Sequence, residues 1–127
     1  MFFLKKKARY KFYVVDDVAD MTELVEAILR AEYGNVEVKT FNDPVDAYNE
    51  IIEEKLLPDL IICDQLMPQL NGLELRKTMK ENGIDVPFVF ITQLGGEDVL
   101  SGNTIMLSKP VQRQKLRAVV DRFLNAA

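Results

Sequence analysis

The sequence contains no histidine. That excludes a Ser-His-Asp or Cys-His triad, a histidine metal ligand and a phosphohistidine carried by this chain. A single cysteine, Cys63, leaves no internal disulfide to form, and nothing marks secretion. No apolar run exceeds four residues, so none is long enough to span a membrane. Low-complexity composition is absent over most of the chain, which excludes extensive disorder. What remains is 127 residues, 48% apolar and 28% charged. That is the length of one domain, able to bury roughly two-thirds of its unfolded surface without staples.

The net charge of -4 conceals a segregation. Residues 1–11 carry Lys5, Lys6, Lys7, Arg9 and Lys11 and no acid. Residues 109–127 carry Lys109, Arg113, Lys115, Arg117 and Arg122 against Asp121 alone. The body between them holds 6 basic and 19 acidic side chains. Such a body binds nucleic acid poorly and a cation well. The basic ends read as a solvated leader and a solvated helix face. Met1-Phe2-Phe3-Leu4-Lys5-Lys6-Lys7 has its apolar residues before its basic ones, and only four of them. A signal peptide has the reverse order and a longer apolar stretch. Residues 1–10 are therefore expected to be a flexible basic extension, followed by one domain over 11–126.

Five short apolar runs recur: Phe12–Val15, Val36–Phe41, Leu60–Cys63, Phe88–Ile91 and Thr104–Leu107. Four are near-continuous and rich in Val, Ile and Phe, as in strands buried on both faces. Val36-Glu37-Val38-Lys39 alternates, which suits an edge strand with one wet side. Helical patterns lie between the runs. Met21, Leu24, Val25, Ile28 and Leu29 form a stripe that Gly34 ends. Asp43-Pro44 starts a second helix running to about Lys55. Asn71-Gly72-Leu73-Glu74 resembles a capping box opening a third, which Gly83 closes. Leu116, Val119, Val120, Phe123 and Leu124 mark the last. The alternation predicts an α/β domain, a doubly wound parallel sheet with right-handed crossovers. Between Thr92 and Thr104, with Gly95, Gly96 and Gly102, little chain is left for a crossover helix. At most Glu97–Ser101 is expected to make one or two turns.

Each buried run ends in a polar residue: Asp16-Asp17, Asp64, Thr92 and Ser108-Lys109. In open parallel sheets the carboxyl ends of the strands line the ligand crevice. Three carboxylates, a hydroxyl and an ammonium are thus expected to converge. Crowded carboxylates require a proton or a cation, and oxygen ligands suit a hard ion such as magnesium. Metal, lysine and hydroxyl together suit a phosphoryl group, and a carboxylate can be its nucleophile. Taken singly, each residue has an ordinary explanation. Asp-Asp after a strand is a turn or helix cap, Lys-Pro a surface turn, and Cys63 a small buried residue. Their joint order at separate strand ends favours a site.

That order resembles the receiver domain of two-component response regulators, over about residues 11–126. The matching residues are Val14-Val15-Asp16-Asp17, Asp64-Gln65-Leu66-Met67-Pro68-Gln69-Leu70-Asn71-Gly72, Phe90-Ile91-Thr92 and Lys109-Pro110. The resemblance implies a five-stranded sheet of flavodoxin-like order 2-1-3-4-5, here with the fourth helix short or missing. It implies that Asp64 is the phosphoacceptor. Mg2+ (or Mn2+) would be held by Asp16, Asp17, Asp64 and the backbone carbonyl of Leu66. Lys109 and Thr92 would bind the phosphoryl group, with Pro110 a cis or turn proline. It implies a sensor histidine kinase or histidine phosphotransfer protein as donor, a downstream protein as target, and a cytoplasmic module that binds neither nucleic acid nor membrane. On this reading the domain is no enzyme beyond its own phosphorylation and slow dephosphorylation.

Two positions depart from the family pattern. Met106 stands where an aromatic switch residue is usual, and Gln93 follows Thr92 where a small residue is usual. Leu66 and Leu94, two residues past Asp64 and Thr92, are apolar and cannot orient an attacking water, so slow self-dephosphorylation is expected. The competing readings are a degenerate receiver that only docks or dimerises, an aspartyl phosphatase and a flavodoxin-like cofactor binder. The phosphatase wants a second aspartate where Leu66 stands. The cofactor binder wants a Gly/Ser/Thr-rich loop where Asp16-Asp17-Val18-Ala19-Asp20 stands.

Overall fold

The structure is a computed structural model that describes residues 9–93, 98–101 and 103–124. Strand β1 (Tyr10–Val15) leads into helix α1 (Ala19–Tyr33), then strand β2 (Val36–Phe41). Helix α2 (Pro44–Tyr48) continues as a π-helical stretch, Asn49–Glu53, before strand β3 (Leu60–Asp64). Helix α3 (Gly72–Glu81), strands β4 (Phe88–Thr92), β5 (Asp98–Ser101) and β6 (Thr104–Ser108), and helix α4 (Arg113–Leu124) complete the chain order.

Side chains alternate across a strand, so a strand buried on both faces feeds two cores. β1 does this: Phe12 and Val14 enter one cluster, Tyr13 and Val15 the other. The first cluster takes Val25, Ile28 and Leu29 of α1 and Leu116, Val119 and Val120 of α4. The second takes Ile51 and Ile52 of the π-helical stretch and Leu75 and Met79 of α3. Helices thus cover both faces, and the doubly wound expectation holds. Five strands run parallel in the order β2-β1-β3-β4-β6. This is the anticipated 2-1-3-4-5 order, with β6 as the fifth parallel strand.

The helix ends follow the sequence signals. Asp43 Oδ1 accepts from Val45 N at 2.9 Å, with Pro44 in the first turn. Asn71 Oδ1 accepts from Glu74 N at 2.9 Å. Gly34 has φ 67° where α1 stops, a backbone region that favours glycine.

Three boundaries differ from expectation. β1 starts at Tyr10, two residues before the expected run at Phe12, and pairs there with Val36, while residues 1–8 lie outside the described residues. The second helix does not stay α-helical to Lys55. It widens at Asn49, a change that turns Ile51 and Ile52 into the core and carries Glu50 to the Tyr13 hydroxyl, 2.8 Å away.

The third difference is at the sheet edge. Asp98–Ser101 forms a strand where at most one or two helical turns were expected, and it runs antiparallel to β6. A segment this short cannot nucleate a helix cheaply, whereas the free edge of β6 offers its backbone ready partners. Among the described residues no helix separates β4 from β6. No described helix is long and apolar enough to cross a membrane.

Candidate functional site

Asp16 leaves the carboxyl end of β1 and is 5% exposed. Its amide donates to Phe41 O at 3.0 Å, and its Oδ1 accepts from Val18 N at 2.9 Å. Asp17, the next residue, is exposed. Asp64 is the last residue of β3 and is 8% exposed. Leu66 N donates to its Oδ1 at 3.4 Å. One carboxylate oxygen from each of Asp16, Asp17 and Asp64 lies within 4.8 Å of the others. Lys109 Nζ lies 3.6 Å from Asp64 Oδ2. Its own amide donates to Thr92 O at 2.7 Å, tying the end of β4 to the segment after β6. The Lys109–Pro110 peptide is cis.

Asp64, Leu66, Thr92, Gln93 and Lys109 line a cavity of about 260 Å3. Thr92 is buried, Gln93 exposed, and Leu66 is 65% exposed. The expected convergence of three carboxylates, a hydroxyl residue and an ammonium is therefore present. Met106 is not in that lining. It is half-buried against the cluster that contains Phe88 and Phe90, with Phe90 its neighbour across the sheet. Leu94 lies outside the described residues.

The electrostatics are strained in the direction a cation relieves. Burial pushes the Asp16 carboxyl up to about 6; Asp64 and Asp17 add to the rise, while the Val18 amide and Lys109 oppose it. Two like charges about 4 Å apart near a protein surface repel by about 4 kcal/mol. One ammonium beside Asp64 offsets part of that and leaves the rest. An all-oxygen donor set of two or three carboxylates is what a small hard divalent ion accepts, with water filling its other positions. The residues present fit magnesium. Cys63, fully buried beside Asp64, has its thiol pushed up by burial and the two carboxylates, and is inert.

Two residues support this arrangement through backbone carbonyls. Asn42, just after β2, donates from Nδ2 to Asp16 O at 2.8 Å. No sequence signal marks it, because the contact spans 26 residues. Gly72 opens α3 so close to the end of β3 that a Cβ there would lie 2.9 Å from Asp64 O. The Asn-Gly pair does mark this turn, though not the close approach.

Acidic strand ends beside a lysine, on a doubly wound parallel sheet, are the arrangement expected of a receiver domain. Residues 12–121 match the family described as the response regulator receiver domain. The chain belongs to that family, which serves phosphoacceptor signalling in two-component systems. It is 33% identical over 117 residues to the response regulator PleD of Caulobacter vibrioides, covering 87% of this chain and 25% of that protein. It is 28% identical over 120 residues to the luminescence regulatory protein LuxO of Vibrio campbellii, covering 90% and 25%. The chain thus spans about a quarter of these relatives. Among solved structures, a putative response regulator from Chloroflexus aurantiacus superposes with a TM-score of 0.76 at 27% identity, covering 93% of this chain and 99% of that one. The chemotaxis protein CheY4 of Vibrio cholerae gives 0.75 at 23%, covering 91% and 99%.

Proposed function

We propose that this domain takes a phosphoryl group from a phosphohistidine onto Asp64 and thereby changes which protein it binds. The observation that carries this is the Asp16, Asp17 and Asp64 cluster with the Lys109 ammonium 3.6 Å from Asp64. An Asp64 oxygen attacks phosphorus, the bond from phosphorus to the donor's imidazole nitrogen breaks, and the imidazole keeps that electron pair and takes up a proton. The product is an acyl phosphate on Asp64. Asp16, Asp17, Asp64 and the Leu66 carbonyl would hold Mg2+ (or Mn2+), which supplies charge neutralisation for the phosphoryl oxygens. Lys109 then pairs with a phosphoryl oxygen in place of the carboxylate, and the Thr92 hydroxyl donates to another.

Donor and target are proteins: a sensor histidine kinase or histidine phosphotransfer protein upstream, and a partner protein downstream. The acidic body supports a reading without nucleic acid. The domain is no enzyme beyond accepting and slowly losing its own phosphoryl group. Leu66 supports the slow loss, because an apolar side chain at the cavity wall cannot orient water.

The test is intact mass after incubation with Mg2+ and acetyl phosphate, beside Asp64→Asn. One added phosphoryl group on the parent and none on the variant is the expected result. No addition to a folded parent, from acetyl phosphate or from a phosphohistidine protein, would overturn the proposal in favour of a domain that only docks.

A further inference from the structure

Asn42 uses its amide nitrogen twice. Nδ2 donates to the main-chain oxygen of Asp16 at 2.8 Å and to Thr22 Oγ1 at 3.1 Å. Asp16 O can only accept. Thr22, 2% exposed on α1, already spends its hydroxyl proton on Ala19 O at 2.9 Å, so its oxygen also accepts. Two acceptors facing one amide group fix which end is nitrogen and which is oxygen. Asn42 is therefore held in one orientation, and it holds Asp16 in turn.

The consequence runs through the peptide plane. Asp16 N is held by Phe41 O at 3.0 Å, and Asp16 O by Asn42. The peptide joining Asp16 to Asp17 is planar, so fixing that carbonyl fixes the nitrogen and Cα of Asp17. Asp17 is the exposed member of the acidic cluster. Magnesium demands near-ideal octahedral geometry, which makes its affinity sensitive to ligand placement.

We propose that Asn42 is a positioning residue for the acidic cluster, orienting the Asp16–Asp17 peptide so that Asp17 meets a divalent cation correctly. This rests on the cation reading of Asp16, Asp17 and Asp64. Groups that orient metal ligands from behind alter affinity by about 10–100-fold when removed.

Asp43, its neighbour, serves as the comparison. Its carboxylate caps α2 through Val45 N. The experiment is calorimetric titration of the whole chain with Mg2+ alone, paired with thermal midpoints and amide shifts in metal-free buffer. Asn42→Ala and Asn42→Ser, whose side chains cannot reach Asp16 O, are each expected to weaken Mg2+ about tenfold. They are also expected to shift the Asp17 and Val18 amides before metal is added. Asp43→Ala is expected to lower the midpoint and leave Mg2+ affinity at the parent value. A parent that binds Mg2+ while both Asn42 variants bind it equally well would overturn the assignment and leave the cation site standing. A folded parent with no saturable Mg2+ binding would remove the cation reading and this assignment with it.

Discussion

Replacing Gly72 with alanine tests how tightly α3 is pressed against the site. An added Cβ would lie 2.6 Å from Phe90 Cε1, 2.9 Å from Asp64 O and 3.1 Å from Cys63 Sγ. Real contacts of this kind are closer to 3.5–4.0 Å. Phe90 and Cys63 are fully buried, so neither can swing aside, and the carbonyl belongs to the strand. The helix must back away. Overpacking of this kind costs about 1–3 kcal/mol, against roughly 0.4–1 kcal/mol gained by alanine through chain entropy. The net loss is about 1–2 kcal/mol, or a fall in thermal midpoint of roughly 4–8 °C for a chain of this length. Because one of the three obstructing atoms is the carbonyl oxygen of Asp64, Mg2+ affinity is expected to fall along with stability. Gly83→Ala separates the two effects: its Cβ meets open space, but its φ of 72° strains a side chain, so it should lose stability alone. Calorimetric melting and Mg2+ titration of both variants are the assay. A Gly72→Ala protein as stable as the parent, with unchanged Mg2+ affinity, would refute the packing argument.

Other perturbations have equally definite outcomes. Tyr13→Phe strips the hydroxyl that donates to Glu50 Oε2 and lies 2.8 Å from Leu56 O, and urea unfolding should show a loss of about 1–3 kcal/mol with no change in Mg2+ affinity. Hydrogen bonds from Arg117 and then Arg113 hold the Glu32 carboxyl below its ordinary value of 4.5. A depressed carboxyl stabilises the fold above its unfolded pKa and loses that contribution as pH falls through its folded one. Urea midpoints of parent and Glu32→Gln should therefore differ at pH 7, draw together as pH falls below 4.5 and through the depressed folded pKa, and differ less in high salt. Leu66→Asn supplies a polar group at the cavity wall and should speed loss of the phosphoryl label roughly tenfold or more, read as the half-life of the added mass.

The parallel strands were legible because a strand buried on both faces has little choice of composition. Leu60-Ile61-Ile62-Cys63 and Phe88-Val89-Phe90-Ile91 sit almost entirely out of water, and no amphipathic helix could have that sequence. The acidic cluster was legible for the complementary reason, since polar residues directly after such runs have only the strand ends to occupy. β5 was not legible. Asp98–Ser101 carries no periodicity of its own, and its state is set by the free edge of β6, which exists only once the sheet is assembled. The widening at Asn49 was equally invisible, because Ile51 and Ile52 suit a helix of either pitch.

The supports of the site lie at a deeper level than its ligands. Asp16, Asp64 and Lys109 announce themselves through their chemistry, but what lies against the main-chain carbonyl of each acidic strand end does not. Asn42 donates to Asp16 O, and Gly72 leaves room beside Asp64 O. A carbonyl is the same at every residue, so nothing in the identity of Asp16 or Asp64 reveals which neighbour must serve it. The two supports also act in opposite ways: Asn42 contributes an attraction that alanine removes, whereas Gly72 contributes an absence that alanine fills. Both variants should loosen cation binding, yet only Gly72→Ala should cost the fold much stability, since Asn42 is exposed and Gly72 is packed against fully buried side chains. Comparable losses of stability in Asn42→Ala and Gly72→Ala would refute this division between an attraction and a cleared space.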